Sequence, residues 1–284
     1  MPRTLVTTER YRSEEISPGV FLERFYPGGK DGPNGEVLFD TPGGQVWSDI
    51  VLLGDEKDAF QLAVPDIRLP ANQIWPLHWH DCWVGIVILD GACMIGDWWM
   101  KPGDVLITEG SLEYGPLVIG PKGCRMFEIF AKLHLSPGGY SPEYRDHPTL
   151  QDGRVPFVFT ERSALNKRND GRQTLPVDGV KGLTKGRLTP GAQWDLGKAS
   201  DADRGIMKVS QLAAGQSLKP HAYADWHGIL VCEGSLEIAG RPADKDAYLR
   251  IRPYSNVDEI KAGPKGALLL ELARTTSGLS PRPA

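Results

Sequence analysis

The sequence predicts an all-β protein built from two copies of one sandwich or barrel domain. Three observations carry this. Short apolar runs alternate with turn signals at a spacing of ~8–12 residues, over 83–89, 92–95, 104–108, 117–119 and 124–131. No window longer than about ten residues shows a clean helical period. A single register links the two halves of the chain at an offset of 143 residues.

Taken in order, residues 1–35 are polar and rich in Gly and Pro, the signature of turns. Residues 46–53 read as a strand, and Phe60 to Leu69 as another, with Pro65 marking a bulge or a sheet edge. The repeat begins at Leu69-Pro70-Ala71-Asn72-Gln73, answered by Leu212-Ala213-Ala214-Gly215-Gln216. His78 answers His221, His80 answers Tyr223, Trp83 answers Trp226 and Gly85 answers Gly228. Asp90-Gly91 answers Glu233-Gly234, and Gly120-Pro121-Lys122-Gly123 answers Gly263-Pro264-Lys265-Gly266. The register still holds at Glu128 and Glu271, each inside an apolar strand. A stretch rich in Pro, Gly and charge, from about Ser136 to Gly182, joins the copies. The division is 1–140 for an N-terminal barrel with an extended arm, 141–182 for the connector and 183–284 for a degenerate C-terminal copy.

Composition narrows the function. The 284 residues are 40% apolar and 24% charged, with a net charge of −4, normal for a globular chain. No basic stripe and no helix-turn-helix pattern is present, which argues against nucleic acid as partner. No apolar run approaches the ~20 residues that span a bilayer, and Met1-Pro2-Arg3-Thr4 has no signal-peptide core. The chain reads as soluble and cytoplasmic, with no membrane partner. Its four cysteines form no CxxC pair and read as small hydrophobes rather than a disulfide or zinc framework.

The chemistry centres on Trp75-Pro76-Leu77-His78-Trp79-His80. Two histidines two apart on a strand share a face and form half of a metal site, or line a polar cavity. His78-x-His80, an apolar strand ending at Gly91, and then Lys101-Pro102-Gly103-Asp104-Val105-Leu106-Ile107 resemble the two motifs of the cupin superfamily. The duplication resembles a bicupin. The resemblance implies two antiparallel jelly-roll barrels in tandem with a short connector, each with a cavity in its mouth. It also implies a divalent metal (Fe, Mn, Ni or Zn) and oxygen-dependent chemistry on a small carbonyl, phenolic or enol substrate.

The chain departs from the metal-binding pattern. The glutamate slot after His80 is Gly85 or, at the shorter spacing, Val84. The late histidine slot is Tyr114, in Glu113-Tyr114-Gly115-Pro116. His134 and His147 lie too far along the chain to be expected as ligands. The candidate metal ligands are therefore His78, His80 and Glu113, although alternation sends only one of Glu113 and Tyr114 inward and the family register makes that Tyr114. Tyr114 and Glu128 are the candidate catalytic groups. Two placements of Glu128 and Glu271 are open: toward solvent by alternation, the ordinary choice for a carboxylate, or inward as an acid of raised pKa. Trp75, Trp83 and Trp98 are candidates for a substrate-pocket wall, and core or interface packing is the competing role. Trp98 and Trp99 are adjacent, so one faces in and one out. In the second copy, His221, Tyr223 and His227 share a face and are candidates for a pocket that holds a ligand, unless that barrel serves only packing or dimerisation. A metal-free isomerase or cyclase, a non-catalytic binding barrel and a homodimer remain open.

Overall fold

The computed structural model describes residues 12–24, 36–41, 44–54, 62–75, 79–80, 82–110, 112–131, 176–198 and 204–283. Among these there is no α-helix, and no helix long and apolar enough to cross a membrane. The first part of the chain holds β1 (Arg12–Ser17), β2 (Val20–Arg24), β3 (Glu36–Thr41), β4 (Gly44–Leu53), β5 (Leu62–Leu69) and β6 (Ile74–Trp75). Then come β7 (Val84–Ile95), β8 (Trp98–Met100), β9 (Asp104–Thr108) and β10 (Leu117–Phe130). The second part holds β11 (Leu183–Arg187), β12 (Gln193–Leu196), β13 (Gly205–Leu212), β14 (Ser217–Leu218) and β15 (His221–Ala222). It continues through β16 (His227–Ile238), β17 (Arg241–Asp244), β18 (Ala247–Ile251), β19 (Ile260–Ala273) and β20 (Arg282–Pro283).

Two antiparallel sheets carry nearly all of these strands. One has the order β11-β9-β7-β10-β5-β4-β3, the other β1-β2-β18-β16-β19-β13-β12. Their registers repeat at the offset seen in the sequence. Cys124 pairs with Gly91 and Leu69, as Ala267 pairs with Gly234 and Leu212. Glu128 pairs with Ile86, as Glu271 pairs with Ile229. The glycines at the turning point are required. Gly91 has φ 68° and Gly234 φ 74°, and a Cβ there would lie 2.1 Å from Gly123 O and 1.9 Å from Gly266 O respectively.

Sheet membership cuts across the division by sequence. β2, at the start of the chain, pairs with β18 of the C-terminal barrel, whereas β11, which follows the connector, pairs with β9 of the N-terminal barrel. Each barrel is thus edged by the arm that precedes the other. This covers two strand edges that would otherwise expose unpaired backbone groups. Pro65 is likewise neither at an edge nor at a bulge: β5 lies between β10 and β4, with Pro65 in continuous register opposite Ile50.

Alternation along the strands separates three cores. Val84, Ile86, Ile88, Met126 and Phe130 face the N-terminal barrel interior. Ile229, Val231, Leu249, Ile251 and Leu269 fill the C-terminal one. Between them, Val87, Leu89, Phe127 and Ile129 of one sheet pack against Met207, Leu230, Tyr248 and Leu270 of the other. A charged tie spans the same interface. Arg125 contacts the fully buried Asp66 at 2.8 Å and, across the interface, Asp246 at 2.7 Å.

Candidate functional site

The N-terminal barrel gathers His80, Tyr114 and Glu128. His80 is buried, with its ring centroid 5.0 Å from Phe130, edge-on, and 6.0 Å from Tyr114. Tyr114 is buried within the apolar cluster, while Glu113 is half-buried. Glu128 is 2% exposed, on the strand face that Met126 and Phe130 share. The solvent-facing placement open from the sequence therefore does not hold. Even-numbered residues of β10 from Cys124 to Phe130 all point into the barrel, and the odd-numbered face is taken by the second barrel.

The equivalent Glu271 also points inward, at 9% exposure, but in a different environment. Its Oε2 lies 3.1 Å from His227 Nε2, Ser210 Oγ donates a short hydrogen bond to Oε1, and Lys208 is its cross-strand neighbour. Burial raises the Glu271 pKa, but His227, Ser210 and Lys208 together outweigh it and hold the carboxyl below its ordinary range. Subtracting the offset shows what the first barrel has instead. Val84 replaces His227, Ile67 replaces Ser210 and Pro65 replaces Lys208. The pairings Phe127–Asp66 and Phe130–Ala63 set Pro65 opposite Glu128. Glu128 has lost all three partners, and its Oε2 has no hydrogen-bond partner among the described residues. Burial alone pushes its pKa up to about 8, so at neutral pH it is a neutral acid. Burial, with Glu128 and the thiols of Cys82 and Cys93 nearby, raises the Tyr114 phenol well above its ordinary value. Two groups that can donate a proton therefore face one interior.

Other residues singled out by sequence separate. Trp83 does not line the cavity; it is half-buried against the inter-barrel core, because the face opposite Val84 belongs to that interface. Trp98 packs against the N-terminal barrel core with Lys185 Nζ 4.9 Å over its ring, and its neighbour Trp99 is 52% exposed. Trp75 sits in β6, where only its backbone is described. His78, His134 and His147 lie outside the described residues. Gly85 is not an emptied ligand slot, since its Cβ would point at Met207 Sδ, 2.5 Å away in the other barrel. The inward slot is Val84, which is apolar. The motif residue Asp104 is structural: it accepts from the Lys101 backbone N–H at 3.0 Å and pairs with Arg187 of β11.

A metal fits the described residues poorly. No group of three or more His, Cys, Asp or Glu side chains among them converges as a metal site. Of the predicted ligands, His80 faces the interior, but the inward companions Tyr114 and Glu128 are held neutral, and a neutral phenol or carboxylic acid is a weak donor. In the second barrel His221, Tyr223 and His227 do come together. Their ring nitrogens, however, face protein partners: Lys219 O and Tyr223 Oη for His221, Gly278 O and Glu271 for His227.

The chain is similar to several solved structures, and those with a TM-score of 0.50 or above share its fold. A provisionally assigned dioxygenase from Nostoc punctiforme aligns over 98% of this chain and 85% of its own, with a TM-score of 0.55 and 12% identity. Protein Ylba from E. coli aligns over 92% and 93%, with a TM-score of 0.50 and 13% identity. A cupin 2 conserved barrel domain protein from Leptotrichia buccalis aligns over 84% and 93%, with a TM-score of 0.47 and 12% identity. The fold is a tandem cupin. No family model and no curated protein matches the chain. Within this cupin pair, then, the two barrels share strand register but not site chemistry. The first presents a neutral carboxyl in an apolar interior, the second a closed polar network.

Proposed function

We propose that the protein is an enzyme of small carbonyl or enol compounds, with its reaction centre in the N-terminal barrel and acid–base chemistry carried by His80, Tyr114 and Glu128. The carrying observation is Glu128. A carboxyl buried without an ion-pair partner among apolar groups is unfavourable for the fold. Its counterpart Glu271 keeps the partners that remove that penalty. A group that stays neutral near pH 7, beside a neutral phenol, suits donation to a carbonyl oxygen. In the reaction, His80 takes a proton from the carbon next to the substrate carbonyl. The electron pair moves to the carbonyl oxygen, which receives a proton from Glu128 and a hydrogen bond from Tyr114. Return of the proton to a different atom gives the isomer, and no external oxidant is needed.

A second reading places a divalent metal on His78 and His80, with oxygen-dependent oxidation of the same compound class. The spacing of the pair, with His80 turned inward, supports it. One experiment separates the two: deuterium uptake at the α-carbon of a panel of 2-oxo acids and aryl ketones, followed by NMR with and without EDTA. Exchange that persists in EDTA and is lost in Glu128→Gln is the expected result. Exchange that survives Glu128→Gln, or its absence across the panel with folded protein, refutes the acid–base reading. Loss in EDTA with recovery on Fe, Mn, Ni or Zn supports the second.

A further inference from the structure

The second barrel holds a buried cluster of polar side chains, and the C-terminal segment of the chain supplies one of its hydrogen-bond partners. His221, Tyr223, His227 and Glu271 are buried together inside the barrel. The Tyr223 and His227 rings stack at 3.7 Å and 6°, and Tyr223 Oη donates to His221 Nε2 at 3.1 Å. All of these contacts come from the barrel except one. His227 Nδ1 donates to the carbonyl oxygen of Gly278 at 3.0 Å, and Gly278 belongs to the segment that leaves the barrel after β19. A carbonyl can only accept, so the Nδ1 proton is directed out of the network toward whatever occupies that place.

The rest of this segment is seated by an apolar contact and a short strand pairing. Thr276–Leu279 forms one 3-10 turn, Leu279 is buried against Ile206 and Ala273, and β20 pairs with the two residues of β15 beside His221. The fit at Gly278 is tight: a Cβ would meet the Cβ atoms of Ala273 at 3.1 Å and Asp225 at 3.2 Å. Every other titratable partner is supplied by the barrel. At this place the segment supplies an acceptor oxygen and, one residue on, a branched apolar side chain.

We infer that the C-terminal barrel is a second ligand site, that residues 276–283 occupy its mouth, and that it takes a neutral acyl or amide compound carrying a carbonyl oxygen next to a short apolar group. The oxygen replaces Gly278 O on His227 Nδ1, and the apolar group replaces Leu279 between Ile206 and Ala273. Neutrality follows from the atom replaced: Gly278 O is an uncharged acceptor, and the same imidazole already faces the Glu271 carboxylate at 3.1 Å, so it needs no second anion.

The test uses the full chain with the segment unseated by Gly278→Val, which forces a branched side chain into the tight contact, or by Leu279→Asp, which puts a charge into the apolar seat. Each variant is treated with diethylpyrocarbonate, and carbethoxylation of His227 is mapped by mass spectrometry. N-acetyl-glycyl-leucinamide, which copies the Gly278–Leu279 pair, is titrated by calorimetry. In the parent protein His227 is fully buried and protected, and the probe competes with a tethered segment at high effective concentration. The expected result is modification of His227 in both variants, and probe binding about tenfold or more tighter than to the parent. Protection of His227 by the bound probe would tie the two readouts to one place. Variants that melt cooperatively but keep His227 protected and do not bind the probe overturn the inference. Loss of the fold in both variants also overturns it, by making the segment a structural part of the barrel.

Discussion

Replacing Glu128 with Gln should stabilise the protein increasingly as pH rises. Below the ordinary glutamate value of 4.5 the carboxyl is protonated in both folded and unfolded chains, so its ionisation contributes nothing to stability. Above it the unfolded chain releases the proton while the folded chain holds it until about 8. Folding then loses about 1.4 kcal/mol per pH unit over that window, roughly 3 kcal/mol by pH 7 and roughly 5 kcal/mol above pH 8. The stability held at low pH is thus lost as pH climbs from the unfolded toward the folded value. Glutamine does not titrate and escapes this loss. A buried amide has a penalty of its own, but one that does not vary with pH. Urea unfolding of both proteins at pH 5, 7 and 9 therefore isolates the effect in the change of the difference between them. A difference that stays constant within about 1 kcal/mol from pH 5 to pH 9 refutes the claim that Glu128 is a neutral acid in the folded chain.

The other expectations concern the same contrast and the join between the barrels. Val84→His gives Glu128 the neighbour that Glu271 has; the carboxyl should ionise at lower pH, seen as loss of its protonated carbonyl infrared band at pH 7. Arg125→Met removes one of the two guanidinium partners of the fully buried Asp66, leaving Arg68 at 3.2 Å, together with the tie to Asp246, and should destabilise by about 1.5–3 kcal/mol in chemical denaturation, as losing a charged hydrogen-bond partner does. Gly85→Val drives a side chain into Met207 across the interface and should lower stability by about 1–3 kcal/mol in the same assay.

The sequence by itself determined the strand pattern, the duplication and its register, because a period of two and a fixed offset are local and additive properties of the chain. The spacing that joins Gly91 to Gly234 and Glu128 to Glu271 could be read without coordinates, and it carried through to the ladders. What the sequence could not decide was which face of each strand meets which neighbour. Gly85 reads as an empty ligand slot until the second barrel is packed against it, and Trp83 reads as a pocket wall for the same reason. The exchange of β2 and β11 between barrels is a long-range pairing that no local pattern encodes. The protonation of the two glutamates depended on tertiary structure most of all. Val84, Ile67 and Pro65 stand at the offset from His227, Ser210 and Lys208 in plain view. Only the strand register shows that these positions surround the carboxyl. A pKa is set by which groups surround it and by how much water is excluded, and both are properties of the packed barrel rather than of the chain.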